Sequence, residues 1–95
     1  MHLKGREGIM LDFPNQSRSF DTTRRAVRFW GHDGAMEWSF YVTEDALRRL
    51  RPATERDEVA LLSAFDSCRP AILAAAKKAY ERGRKGSYEL AVGDF

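Results

Sequence analysis

Between Arg24 and Val42 apolar and polar residues alternate in two successive runs. In the first, Val27 and Phe29 share one side, with Arg24, Ala26, Arg28 and Trp30 on the other. In the second, Met36, Trp38, Phe40 and Val42 oppose Glu37, Ser39 and Tyr41. Period-two alternation predicts two half-buried strands, and the segment Gly31-His32-Asp33-Gly34 between them predicts a hairpin. A type I′ turn centred on Asp33-Gly34 pairs Phe29 with Trp38 and Val27 with Phe40. A turn centred on His32-Asp33 pairs Phe29 with Met36 and Arg28 with Glu37. The two registers keep the same side chains on the same face, because only an odd slip exchanges faces.

The flanking elements follow from the same reading. Ile9, Leu11 and Phe13 alternate with polar neighbours and predict a short first strand ended by Pro14 and Asn15. Residues 16–23 are polar and predict a loop, in which Asn15, Asp21 and Thr22 bond nearby amides. Thr43 caps a short helix starting at Glu44, with Glu44–Arg48 and Asp45–Arg49 as acid-before-base pairs and Leu47 and Leu50 as its buried side. Pro52 stops it. Thr54 starts the next helix, with Glu55, Asp57 and Glu58 in the first turn. Apolar positions then recur at helical spacing through Leu61 or Leu62, Phe65, Cys68, Ile72, Ala75 or Ala76 and Ala79, up to a stop at Gly83. Unbroken, about 28 residues would extend about 42 Å, beyond the ~32 Å diameter of a domain this long. Pro70 removes an amide donor and clashes with the preceding turn, which predicts a sharp kink or break there. Tyr88, Leu90 and Val92 predict a last strand, at an edge or beside the first. The expected fold is α+β. A small, mainly antiparallel sheet on the central hairpin is packed on one face by a short helix and a long helix kinked or broken near Pro70, with a C-terminal strand. Residues 1–8 are expected to be a mobile segment and residues 9–95 a single domain.

Composition changes this picture little. The chain has 95 residues, 43% hydrophobic and 32% charged, which suits one globular domain. Cys68 is the single cysteine, so no disulfide closes within the chain; it falls in the apolar helical pattern and reads as a buried, inert thiol. The absence of a signal-like segment and of a membrane-length apolar run makes the cytoplasm the expected location. Net charge is only +2, yet from Arg69 to Gly86 six basic residues face one acid, Glu81. Acids gather at helix starts and bases at helix ends, as the macrodipole favours.

Candidate chemistry is sparse. One cysteine and two separated histidines, His2 and His32, do not make a metal site, which needs three or four clustered ligands. The glycines around His32 and Asp33 precede no helix, so they are turn residues rather than a phosphate loop. Glu37 and Glu89 meet only if their strands are neighbours, and then on a solvated face. No nucleophile elbow appears. No catalytic residue, cofactor or metal is expected, and no membrane contact. The outward hairpin face with Arg24, Arg28, Trp30 and Tyr41 is the candidate interaction surface, because Trp, Tyr and Arg are enriched in binding hot spots. Lys77, Lys78, Arg82, Arg84 and Lys85 form an alternative basic patch. With the arginine–aromatic face it would offer phosphate contacts and stacking planes to nucleic acid, if both lie on one surface.

The run Phe13 to Asp21 (Phe-Pro-Asn-x-Ser-Arg-Ser-Phe-Asp) followed by Thr23 to Asp33 (Thr-Arg-Arg-Ala-Val-Arg-Phe-Trp-Gly-His-Asp) resembles domain-of-unknown-function family 1488 of small bacterial proteins. The similarity extends through Phe40-Tyr41-Val42, the leucine- and alanine-rich helix and Gly86-Ser87-Tyr88-Glu89-Leu90. The resemblance implies a small α+β protein, bacterial and cytoplasmic, and carries over no catalytic residues. The expected role is a non-catalytic binding or assembly module, with a second copy or another protein as partner. The alternative is nucleic-acid binding.

Overall fold

A computed structural model describes residues 11–83 and 88–95. The expected segment 1–8, the start of the first strand at Ile9, and Arg84 and Lys85 lie outside the described residues. Two eight-residue strands, β3 (Ala26–Asp33) and β4 (Met36–Thr43), form the centre of a five-stranded sheet. β1 (Leu11–Asp12) and β2 (Ser19–Asp21) pair antiparallel with the same edge of β3, one at each end. β5 (Tyr88–Leu90) pairs with β4 in parallel, so the sheet is mixed and the last strand does not meet the first. Val92, expected to continue β5, begins a 3₁₀ turn over Val92–Asp94.

The hairpin register differs from both expected ones. Phe29 pairs with Phe40, Val27 with Val42 and Asp33 with Met36, so the turn is Gly34-Ala35. Gly34 takes φ +62 while Ala35 does not enter the left-handed region, the pattern of a type II′ turn. The shift is again even, so the faces are those expected: Val27, Phe29, Phe40 and Val42 are fully buried. Gly31 belongs to the strand, not the turn. A Cβ there would lie 2.9 Å from Phe13 Cε1 and 3.0 Å from both Leu11 Cδ1 and Phe40 Cε1. This glycine lets the Phe13, Phe29 and Phe40 rings close over the strand, with centroids 5.4–6.1 Å apart.

Among the described residues three helices cover the inner face: α1 (Glu44–Leu50), α2 (Glu58–Ser67) and α3 (Arg69–Glu81). They supply Leu47, Leu61, Phe65, Ile72 and Ala76 to one core with the sheet. Thr43 caps α1 through its side chain, which accepts from the Ala46 amide at 3.1 Å. The chain does break near Pro70: α2 and α3 meet at 79°. Pro70 sits in the first turn of α3, where its missing N–H leaves no helical bond unmade. Cys68 is the junction residue, with φ −108 and ψ 13. It is half-buried between the helices rather than sealed inside one. Gly83, at φ +75, follows the end of α3 in the left-handed conformation that closes helices. No single described helix is long and apolar enough to cross a membrane; α2 and α3 are so only as a bent pair, whose apolar side faces this core.

Two expectations fail for one reason. Helix α2 starts at Glu58 instead of Thr54, and Glu44 does not pair with Arg48. The Glu44 carboxylate is buried and accepts from Arg25 Nε at 2.8 Å and Arg56 Nε at 2.7 Å. Arg25 also donates to the Arg56 carbonyl at 2.8 Å, and Arg48 to the Thr54 carbonyl at 3.1 Å. These bonds tie residues 54–57 into a non-helical connection that bends at Arg56 and Asp57, and the helix begins after it. β2, expected as loop, forms because Phe20 pairs with Val27 at the sheet edge; three largely polar residues give no alternation to read. Asn15 and Asp21 do cap nearby amides, of Ser17 and Arg24.

Replacing Gly31 with Ala should lower unfolding stability by about 1–3 kcal/mol in urea titration, because the added methyl meets three packed side chains. The exposed Gly93→Ala should stay within about 0.5 kcal/mol of wild type.

Glu44→Gln should cost about 1.5–3 kcal/mol, the range for hydrogen bonds to charged groups. Hydrogen bonding to Arg25, and then to Arg56, holds the Glu44 carboxyl below its ordinary value of 4.5 against the opposing pull of burial. Its stabilisation is therefore complete above that value and lost as pH falls through the lower folded one. Denaturation curves of wild type and variant should accordingly converge in acid.

Candidate functional site

The outer sheet face carries Arg28, Trp30 and His32 from β3, opposite Tyr41, Ser39 and Glu37 from β4. Arg24 precedes β3, in the turn whose amide is held by the Asp21 carboxylate at 3.0 Å. All four expected face residues come together. The Arg24 guanidinium lies 3.9 Å from the Tyr41 ring centroid, and Arg28 lies 5.1 Å from Trp30 and 5.7 Å from Tyr41. Arg28 also donates to Ser39 Oγ, from Nε at 3.3 Å and from Nη2 at 2.9 Å. The result is a layer in which cations alternate with rings, each contact within the reach of cation–π attraction.

The layer is not uniformly open. Tyr41 is only 8% exposed under its two arginines, whereas Trp30 and Arg28 are half-buried. Tyr41 is thus a structural support, whereas Arg24 is exposed and Arg28 and Trp30 keep part of their surface open. Glu37 is half-exposed beside His32, whose Nε2 stands 3.3 Å from its carboxylate. Glu89 shares the face next to Tyr41, four residues along β4 from the Glu37 position, about 13 Å away. These two carboxylates form no pair.

The alternative basic patch lies elsewhere. Lys77, Lys78 and Arg82 are exposed on and just after α3, a helix packed beneath the inner face. Arg82 reaches Asp94 at 3.6 Å. The sheet stands between these groups and the arginine–aromatic layer.

Other titratable groups form buttresses the sequence reading missed. Asp66 takes a two-pronged bond from Arg18, at 2.9 and 2.8 Å, and a longer one from Arg69 at 3.4 Å. The Arg18 bond holds the Asp66 carboxyl below its usual range. The Tyr80 hydroxyl donates to Asp33 Oδ2 at 2.5 Å, joining α3 to the end of β3. That bond, with burial, pushes the phenol up to about 12. The Trp38 indole nitrogen lies buried in the same corner without a hydrogen-bond partner among the described residues. Its ring packs edge-on to Tyr88, with centroids 6.0 Å apart. The Arg18–Asp66 and Tyr80–Asp33 bonds join residues 48 and 47 positions apart, which local spacing cannot reveal.

A surface groove of about 520 Å³ runs between the α1–α2 connection and α2, past Leu50, Pro52, Thr54, Ala60 and Ser63. Its charged rim residues, Arg51 and Glu55, are exposed. Among the described residues no three His, Cys, Asp or Glu side chains stand close enough together to hold a metal ion.

The fold and face define a small α+β domain with helices on one side of a mixed sheet and an arginine–aromatic layer on the other. The chain belongs to the family described as protein of unknown function (DUF1488), whose model matches residues 11–92. It is similar to the crystal structure, at 1.60 Å resolution, of a protein of unknown function of that family from Shewanella loihica PV-4. The two are 22% identical with a TM-score of 0.75, over 84% of this chain and 90% of the other. At that identity the likeness establishes the shared fold. Among curated proteins nothing matches the chain.

Tyr80 sets an alkaline limit. Its phenol is raised from 10.0 to about 12 in the folded protein, so its stabilisation is complete below pH 10 and lost as pH rises toward 12. Unfolding free energy should fall over that interval in wild type, and less steeply in Tyr80→Phe, when followed by denaturant titration at fixed pH values.

Proposed function

We propose that this protein is a non-catalytic binding or assembly module that engages another protein chain through its outer sheet face. The observation that carries the reading is the arginine–aromatic layer on the side of the sheet opposite all three described helices. Trp and Arg dominate interface hot spots because a ring and a guanidinium bring large contact area with directional polar groups. Here the layer is prearranged: Tyr41 is clamped by Arg24 and Arg28, and Ser39 fixes the Arg28 guanidinium. Ordering these side chains is thus largely complete before a partner arrives, which lowers the entropic cost of association.

The arrangement supports a nucleic-acid role less well. That role asks for one continuous basic surface, and the Lys77, Lys78 and Arg82 groups sit across the sheet from Arg24 and Arg28. A catalytic role is supported less well, since the Glu44, Asp66 and Tyr80 side chains each serve a bond between elements.

The test is site-specific photo-crosslinking in the native host. A photoreactive amino acid at position 30 should give protein adducts. The same group at position 59, where Val59 is 75% exposed on α2, should give none. Equal labelling from both positions, or none from position 30, would overturn the reading.

A further inference from the structure

Resting on the binding-face reading above, we infer that the partner is a second copy of this chain, docked face to face by pairing Arg28 of each copy with Glu37 of the other. The face is self-complementary about its centre. Trp30 stands opposite Ser39, Arg28 opposite Tyr41 one step to one side, and His32 opposite Glu37 one step to the other. Each step is two residues, about 6.7 Å along the strand. A two-fold axis running across the strands above the Trp30–Ser39 pair exchanges the two ends. It lays Arg28 of one copy over the His32–Glu37 end of the second, brings the two Trp30 rings together, and repeats the same contact in reverse. This is the condition for an isologous interface, in which one patch complements itself.

The partners that Arg28 and Glu37 have within the chain leave this pairing open. The Arg28 guanidinium meets a hydroxyl and two rings, and no carboxylate among the described residues. Nε and one Nη2 hydrogen are used on Ser39, which leaves the donors of the Nη1–Nη2 edge, an edge that can take a carboxylate in two-pronged fashion, unused by Ser39. The Glu37 side chain is 51% exposed and its contact is His32 alone among the described residues. Packed sheets stand about 10 Å apart, a gap that an arginine and a glutamate reaching from opposite sides close together. A generic acidic partner would use the Arg28 end of the face but leave Glu37 opposed; a second copy satisfies both ends at once.

The experiment is sedimentation equilibrium on the full chain, with circular dichroism to confirm folding. Wild type should be a dimer. Arg28→Glu and Glu37→Arg should each weaken self-association by roughly a hundredfold, because like charges are then juxtaposed. Mixed in equal amounts, the two variants should dimerise again, since each contact then joins opposite charges, and the double variant should dimerise alone. If a single variant unfolds, Arg28→Gln and Glu37→Gln take its place and should weaken association about tenfold. A monomeric wild type, or single variants as dimeric as wild type, would overturn the proposal. Position-30 crosslinks read by mass then separate the two levels. Adducts only to a different protein overturn the second copy and leave the binding face standing. The absence of any adduct overturns both.

Discussion

The Glu44 carboxylate joins three stretches that sequence separates widely. Arg25 belongs to the turn entering β3, Glu44 opens α1, and Arg56 lies in the connection to α2. Arg25 adopts φ +51, a left-handed conformation that costs a non-glycine residue about 1–2 kcal/mol. The structure offsets that cost locally: the Glu44 amide donates to the Arg25 carbonyl at 2.9 Å while the Arg25 side chain donates to the Glu44 carboxylate. One residue pair thus sets the direction in which the chain enters the central hairpin and leaves it. Since α1 follows β4 directly, the same pair fixes the helical layer over the inner face. The bond between Arg56 and Glu44 then delays α2 until Glu58, where Leu61 and Phe65 can meet Phe29 and Leu47.

Given that frame, the two faces of the sheet follow different rules. The inner face is closed by shape. Gly31 lets Leu11, Phe13 and Phe40 converge, and aromatic contacts run from Phe65 through Phe29 and Phe40 to Tyr88. The outer face is closed by chemistry. Arginine stems and guanidinium planes lie on Tyr41 and Trp30, shielding apolar surface while leaving polar edges outward. Such a face is stable in water yet retains hydrogen-bonding capacity, which distinguishes it from a core still lacking its cover.

The legible part of this fold was whatever a short periodicity encodes. Alternation from Arg24 to Val42 placed the faces, Thr43 placed the start of α1, Pro70 the break and Gly83 the stop. Register escaped because alternation is invariant to even shifts, and the deciding factor was Gly34 taking the left-handed position with Ala35 after it. The role of Gly31 escaped because its reason is a tertiary contact with Leu11 and Phe13, twenty and eighteen positions away. On the face itself, residue types and alternation identified Arg24, Arg28, Trp30 and Tyr41 as neighbours. The burial of Tyr41 did not follow from that pattern, because Arg24 folds over it from a turn rather than from the strand.

The position of the basic groups on α3 bears on the same question from the other side. Lys77 and Lys78 point away from a helix face made of Ile72, Ala75, Ala76 and Ala79, which the core consumes entirely. Alanines there let α3 lie close beneath the sheet, and Tyr80 anchors its end to Asp33. A helix held that closely cannot swing its cations around the sheet edge to join Arg24 and Arg28. The two charged regions are therefore mechanically separate, and any partner that uses both must span the thickness of the domain. A flat protein surface matched to the outer face alone meets no such demand, which is why the arginine–aromatic layer, rather than total positive charge, directs the functional reading.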